Sequence, residues 1–164
     1  MSTVSFIAVM LGSFLVMEFV SYFAHRYVYH GIGWRFHKSH HAKRHGIFEK
    51  NDVFPAFFAS MAMIVMITAL QMPSLFWMLP ISIGVSAYGV TYFLIHDVYI
   101  HRRFSWFKQL DSKYSRAILR AHGTHHSKRD KEDGESFGLL VVHPKFFKKR
   151  NKRDEEQIIG NNVR

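Results

Sequence analysis

Ten of the twelve histidines in this 164-residue chain fall into four clusters whose spacings repeat in order: His25-x4-His30, His37-x2-His40-His41, His96-x4-His101 and His122-x2-His125-His126. Residues at i, i+3 and i+4 share one helical face, so His37/His40/His41 and His122/His125/His126 can each aim imidazoles at a common centre. Residues at i and i+5 lie about 140° apart on a regular helix, so His25/His30 and His96/His101 are expected to straddle helix ends. The chemistry of such a set is metal ligation. A structural zinc takes four ligands and a catalytic zinc three plus water, so ten imidazoles exceed one ion and suit two, with five or six positions each. His45 and His143 stand outside the repeat and are read as ordinary surface or structural histidines. There is no cysteine, which excludes disulfides, thiolate-bound zinc, iron–sulfur clusters and cysteine nucleophiles.

Three apolar stretches are placed to position these clusters. Val4–Ala24, Val53–Met72 and Leu75–Ile95 are each about 20 residues, or about 30 Å as helix, enough to cross a bilayer. The first is read as a retained span rather than a secretory signal, because no Lys or Arg precedes it and no small-residue cleavage pattern follows. Gln71–Ser74 leaves only a tight turn between the second and third spans, while Pro80, Gly84 and Gly89 inside the third are expected to kink it. All 22 Lys and Arg lie in 26–50 or after His96, on one side of this topology. The positive-inside rule makes that side cytoplasmic and the N-terminus external. The first and third spans then run in the same direction, and their histidines emerge at one membrane face.

The net charge of +10 is accounted for by topology and by anionic lipid headgroups, so nucleic acid is not expected as a partner. From Ser105 to His122, Phe107, Leu110, Tyr114, Ala117, Ile118 and Ala121 recur at helical spacing, with Lys108, Asp111, Lys113, Arg116 and Arg120 opposite. This predicts an amphipathic helix, lying at the membrane surface or packed in the core, that delivers His122, His125 and His126. Ser136–Val142 is apolar but too short to cross, and is expected to cap the site or dip into the interface. The fold class is therefore all-α: an integral membrane protein of about three transmembrane helices, with cytoplasmic amphipathic helices carrying a histidine-rich di-metal site. Residues 1–145 are expected to form one membrane-embedded domain, and 146–164 a basic, disordered tail.

Ligating histidines usually donate their second N–H to a carboxylate or carbonyl, which makes Glu49, Asp52, Asp97 and Asp111 candidate partners. Glu18 lies within a span, where a carboxylate is costly, two turns before His25 with Tyr22 between them; a supporting or helix-packing role is expected for this pair. Imidazole suits iron, zinc, copper and nickel alike. Iron is favoured by the setting: lipophilic substrates often offer only C–H bonds, whose cleavage needs oxygen activated by a redox metal.

The sequence resembles the bacterial β-carotene 3-hydroxylases, within the membrane fatty acid hydroxylase superfamily of non-haem di-iron oxygenases. The resemblance runs from about Met17 to Leu140 and includes His25-Arg-Tyr-Val-Tyr-His30-Gly31, Trp34-x2-His37-x2-His40-His41, Phe48-Glu49-x-Asn51-Asp52, Tyr92-Phe93-x2-His96-Asp97 and Ser136-Phe137-Gly138. It implies hydroxylation of β-carotene to cryptoxanthin and zeaxanthin with oxygen, two iron ions held by the ten histidines, and a ferredoxin-type or NAD(P)H-linked electron donor. The slot for the carotenoid ring is expected between the first and third spans. The wider superfamily has four spans where three are found here, so an oligomer completing the packing is a further expectation. The alternatives are a related oxygenase acting on a fatty acyl chain, sterol or other carotenoid position, and a membrane metal-binding protein without catalysis. A bis-histidine haem protein is disfavoured because no histidine lies inside the apolar stretches.

Overall fold

The computed structural model describes residues 1–42, 46–108, 110–127, 131 and 134–148. Among these there is no β-strand. Helix α1 (Thr3–Phe23) starts at Ser2, whose side chain accepts the Ser5 N–H at 3.1 Å, and runs without interruption into a π-helical segment, Ala24–Ile32. A single turn, α2 (Trp34–His37), follows. The 3-10 turn Lys50–Asp52 leads into α3 (Val53–Gln71). After an extended Met72, a 3-10 segment (Pro73–Met78) leads into α4 (Leu79–Tyr92), which continues as a second π-helical segment, Phe93–Ile100. Helix α5 (Lys113–Ser127) and the 3-10 turn Pro144–Phe147 complete the described chain.

Three helical runs are long and apolar enough to span a membrane: Thr3–Ile32, Lys50–Gln71 and Pro73–Ile100. Their side chains are largely exposed, among them Leu11, Leu15 and Phe19 on α1 and Phe57, Met61 and Ile64 on α3. With no water in the bilayer core, helices satisfy their own backbone groups, and the apolar exteriors face lipid. Helix α4 packs against both α1 and α3. Its close approach to α1 depends on Gly84, where a Cβ would lie 2.3 Å from the Met10 carbonyl oxygen. Small residues of this kind let membrane helices meet backbone to backbone. Gly84 thus serves packing rather than the expected kink, and Pro80 sits in the first turn of α4, where its missing N–H costs nothing.

The i, i+5 histidine pairs sit at the ends of the two π-helical segments: His96 lies inside Phe93–Ile100 with His101 as its C-cap, as expected, while His25 and His30 both lie within Ala24–Ile32, which kinks at Gly31 directly after His30. Hydrogen bonds of i→i+5 type (His101 N to His96 O, 2.9 Å; Gly33 N to Val28 O, 2.7 Å) bring residues five apart onto one face. The amphipathic helix departs from expectation. The helix expected from Ser105 begins only at Lys113. Phe107 and Leu110 lie outside it and are exposed, whereas Ala117 to Gly123 are all buried, so α5 is a core helix and not a surface one. Arg120, assigned to the polar side, is buried with its guanidinium donating to the Phe146 and Lys148 carbonyls at 2.7 and 2.6 Å. Those contacts carry packed structure as far as Lys148, into the segment expected to be tail; 149–164 lie outside the described residues, as does His45.

Ile100, Ile118, Leu119 and Leu139 form the apolar core beneath the histidines, joined by Tyr92, Ile95 and Tyr99. It ties the end of the third span to α5 and to the Ser136–Val142 segment. The four histidine clusters therefore converge at one end of the bundle.

Candidate metal centre

The ten clustered histidines meet in two adjoining groups. Ring nitrogens of His25, His30, His37, His41 and His125 lie within 4.8 Å of one another, and so do those of His40, His101, His122 and His126. His96 joins the second group, its Nε2 3.1 Å from that of His40. The groups abut where His41 stacks on His126, ring centroids 4.6 Å apart. Nine of the ten are at most 9 % exposed and His41 is half-buried.

The rear nitrogens show why these rings point inward. Nδ1–H of His25, His30 and His125 donates to the carbonyls of Phe137 (3.0 Å), Lys131 (3.2 Å) and Glu135 (2.9 Å), and that of His37 to the Asn51 side chain (2.7 Å). His40 donates to Glu49 (3.0 Å) and His96 to Asp97 (3.3 Å). A neutral imidazole with its proton on Nδ1 presents a bare lone pair at Nε2. Yet Nε2 atoms face each other at 3.1 Å between His25 and His37, and at 3.3 Å between His30 and His125. No proton remains to sit between them, and His126 Nε2 is buried without a hydrogen-bond partner. Facing lone pairs in a dry pocket repel unless a cation lies among them, so the residues fit two metal ions. Nitrogen donors in this number suit iron and other imidazole-loving metals.

The chain also disfavours protonation here. Burial, reinforced by neighbouring imidazoles, holds His37, His40, His122, His125 and His126 well below the usual histidine value. Neutral imidazole is the form that binds metal.

Around the rings the supporting groups are anchored in turn. Arg103 donates to Asp97 (2.7 Å), to Asp52 and to the Ile47 carbonyl, and the residue before it, Arg102, is in the left-handed region at φ 53°. Burial pulls the Arg103 guanidinium down, but the two carboxylates raise it above its ordinary value. Asp52 accepts the Glu49 N–H at 2.9 Å, fixing the turn that carries Glu49 and Asn51. Asp52 therefore supports the site through Arg103 and Glu49 rather than by touching a histidine. Asp111, expected as a possible histidine partner, is instead exposed and pairs with Arg116 on the stretch preceding α5.

Glu18 anchors the cap. Its Oε1 accepts N–H bonds from Leu139, Leu140 and Val141 at 2.8–3.0 Å, and Oε2 accepts the Tyr88 hydroxyl at 2.8 Å. Gly138 makes room, since a Cβ there would lie 3.0 Å from Oε1. The anchored segment lays Phe137 against His25, His30 and His125, with ring centroids 5.2–5.4 Å apart. Tyr22 accepts from Arg26 at 2.7 Å and packs edge-on to Phe137, so its support is one residue removed from the histidines. His143 caps the last 3-10 turn by accepting the Lys145 N–H. Asn51 and the three backbone carbonyls are supports that sequence reasoning did not assign. The Asn51 signal was present in the Glu49-x-Asn51-Asp52 motif, while the carbonyls carry no side-chain signature.

A cavity of about 580 Å³ opens between the spans and ends at His37 and His96, one ring from each group. Its walls are apolar: Met17 from α1, Phe54, Ala62 and Met66 from α3, and Val85, Tyr88, Tyr92 and Phe93 from the third span. The second span thus contributes as fully as the first and third, which had been expected to form the slot alone. Tyr92 stacks on His96, ring centroids 4.7 Å apart and planes inclined by 30°.

Residues 10–147 match the family described as fatty acid hydroxylase. A protein named β-carotene hydroxylase from Pseudescherichia vulneris is 40% identical over 138 residues, covering 82% of this chain and 75% of its own. One of the same name from Pantoea ananas is 38% identical over 130 residues (78% and 72%), and β-carotene 3-hydroxylase 1 of Arabidopsis thaliana chloroplasts is 34% identical over 138 (82% and 43%). No solved structure matches the chain. The matched region begins within α1 and ends at the turn whose Phe146 packs on α5, and the chain belongs to the fatty acid hydroxylase family.

Proposed function

We propose that this membrane protein is a β-carotene hydroxylase, a di-iron monooxygenase acting at C3 and C3' of the ionone rings to give cryptoxanthin and then zeaxanthin. The observation that carries this reading is the apolar cavity that leads from between the spans to one imidazole of each group. A volume of this size and lining is typical of sites for lipophilic small molecules. A carotenoid ring has no polar handle, so it is held by shape and apolar contact, and it reaches the cavity from the bilayer without crossing water.

The ten histidines would hold the two irons, and bound iron with O2 supplies the oxidising power that an unactivated C–H bond demands. The chain's own residues do the rest. Glu49, Asp97, Asn51 and the three carbonyls fix the proton of His40, His96, His37, His25, His30 and His125 on Nδ1 and aim their Nε2 atoms inward. Phe137 and Trp34 cover the rings and exclude water. Tyr92 and Phe54 line the cavity together with His37 and His96, and Tyr92 stacks on His96.

Reduction requires an external donor, of ferredoxin type or linked to NAD(P)H. The basic segments flanking the spans support a cytoplasmic location for the site, with the N-terminus outside and anionic lipids around it. The test is pigment analysis, by chromatography and mass spectrometry, of cells that accumulate β-carotene with and without this gene. Cryptoxanthin and zeaxanthin are expected only with it. Unchanged β-carotene beside membrane-inserted, iron-loaded protein would overturn the proposal in favour of an acyl or sterol substrate.

A further inference from the structure

Two loops at the histidine end carry apolar side chains that the metal site does not use. Before the second span Phe48 is 87 % exposed and Ile47 is exposed beside it; after the third span Trp106 is 60 % exposed and Phe107 follows it. Arg103 joins the loops. Its Nε donates to the Ile47 carbonyl at 2.7 Å, while its terminal nitrogens hold Asp52, at the start of the second span, and Asp97, at the end of the third. The later loop folds back along its own span. The Arg103 N–H returns to the Asp97 carbonyl at 2.8 Å, and Phe104 and Trp106 stack on each other with ring centroids 4.9 Å apart. Both rings also pack on Phe93, at 5.9 and 6.0 Å, before the Leu110 N–H donates to the Tyr99 hydroxyl. Phe93 lies a turn before His96, within the apolar third run, and lines the cavity. A bilayer that surrounds Phe93 therefore reaches Trp106.

Each apolar tip is followed by an exposed cation, Lys50 after Phe48 and Lys108 after Phe107. Aromatic and aliphatic side chains beside lysine suit the boundary between headgroups and acyl chains, where the rings enter and the ammonium stays among anionic phosphates. Resting on the membrane reading above and deepening it, we infer that the two loops form one wedge seated in an anionic lipid surface. Ile47, Phe48, Trp106 and Phe107 insert about 5–10 Å into the boundary on the histidine side, and Lys50 and Lys108 hold the headgroups. The cavity wall at Phe93 then faces hydrocarbon rather than water, which is where a carotenoid would enter.

The chain has no cysteine, so a single introduced thiol carries a unique label. Phe48→Cys and Phe107→Cys, one on each loop, are labelled with bimane and placed, as full-length protein, in vesicles of phosphatidylcholine and phosphatidylglycerol; either reports if the other fails to fold. Lipids brominated near the headgroup should cost the label more emission than lipids brominated near the chain end, and aqueous iodide should cost it little. Iodide quenching equal to that of the free dye would place the loops in water and overturn the inference. A label that neither quencher reaches is covered by protein, a second copy or the chain itself, and overturns it too. In vesicles without phosphatidylglycerol the loss to headgroup-proximal bromines should shrink, and Lys50→Glu with Lys108→Glu should abolish that dependence on lipid charge. A dependence that persists in the double variant overturns the role of the two lysines. The pigment assay separates this wedge from the proposed function. Zeaxanthin made by a protein whose loops are open to iodide leaves the function standing and sinks the wedge, and lipid-quenched loops without zeaxanthin do the reverse.

Discussion

A buried imidazole serves as a ligand only if its proton is held elsewhere, and the structure meets that condition at His25, His30, His37, His40, His96 and His125. The histidines themselves were legible from spacing, and so were Glu49 and Asp97, because carboxylates near histidine boxes carry a recognisable physical motive. The carbonyls of Phe137, Lys131 and Glu135 were not legible, since any residue can offer one and only the fold decides which does. His40 sits within the second group, its Nε2 3.1 Å from that of His96, so His40→Ala should abolish hydroxylation and lower bound iron, checked by product assay and metal analysis on the same preparation. Acid should act on the same rings. In the unfolded chain they take protons near pH 6.5, whereas in the folded chain burial and neighbouring imidazoles push His37, His40, His122, His125 and His126 well below that value. Their contribution to stability is therefore complete above about pH 6.5 and lost progressively as pH falls toward the lowered values. Iron retained after dialysis should fall over the same window. Glu18 is the other sensitive position. Glu18→Ala would leave three backbone N–H groups without their acceptor, at about 1–3 kcal/mol each where buried, and thermal unfolding should show a clear loss.

At the scale of elements, the i, i+5 spacing was legible only in part. A regular helix separates such residues widely, so helix ends were the natural inference, and His101 does cap its segment while Gly31 breaks the other just after His30; the widening into π-helix at the histidine end of both runs has no sequence signature. π-Helical turns are rare and cluster at functional sites, and here they turn an awkward spacing into two rings on one face. Deleting Val28 should return the first of these segments to α-helical register and rotate His30 away from His125. The expected result is a membrane-inserted protein with less than its full iron, read by metal analysis. The late start of α5 has a similar lesson. Phe107 and Leu110 fit the helical periodicity of the residues after Lys113, yet they belong to an irregular stretch in which Tyr99 accepts the Leu110 N–H. Periodicity alone could not locate that boundary.

At the scale of the molecule, three spans and their hairpin were readable from hydropathy, but the cavity between them was not, because it depends on how α3 leans on α4. The largest test of that arrangement is steric. Ala62 is buried on α3 and lines the cavity, so Ala62→Phe should cut hydroxylation by about tenfold or more while iron content stays unchanged. Loss of iron in that variant would mean that cavity and metal centre cannot be separated. The central claim, however, is that ten histidines from four segments hold two irons at one end of a three-span bundle. Iron quantification combined with Mössbauer spectroscopy on the purified, iron-enriched protein tests it most directly. The account predicts two non-haem irons per chain in nitrogen-rich surroundings, with no haem signature. A single iron per chain, or a site filled by zinc with no iron-dependent activity, would contradict it.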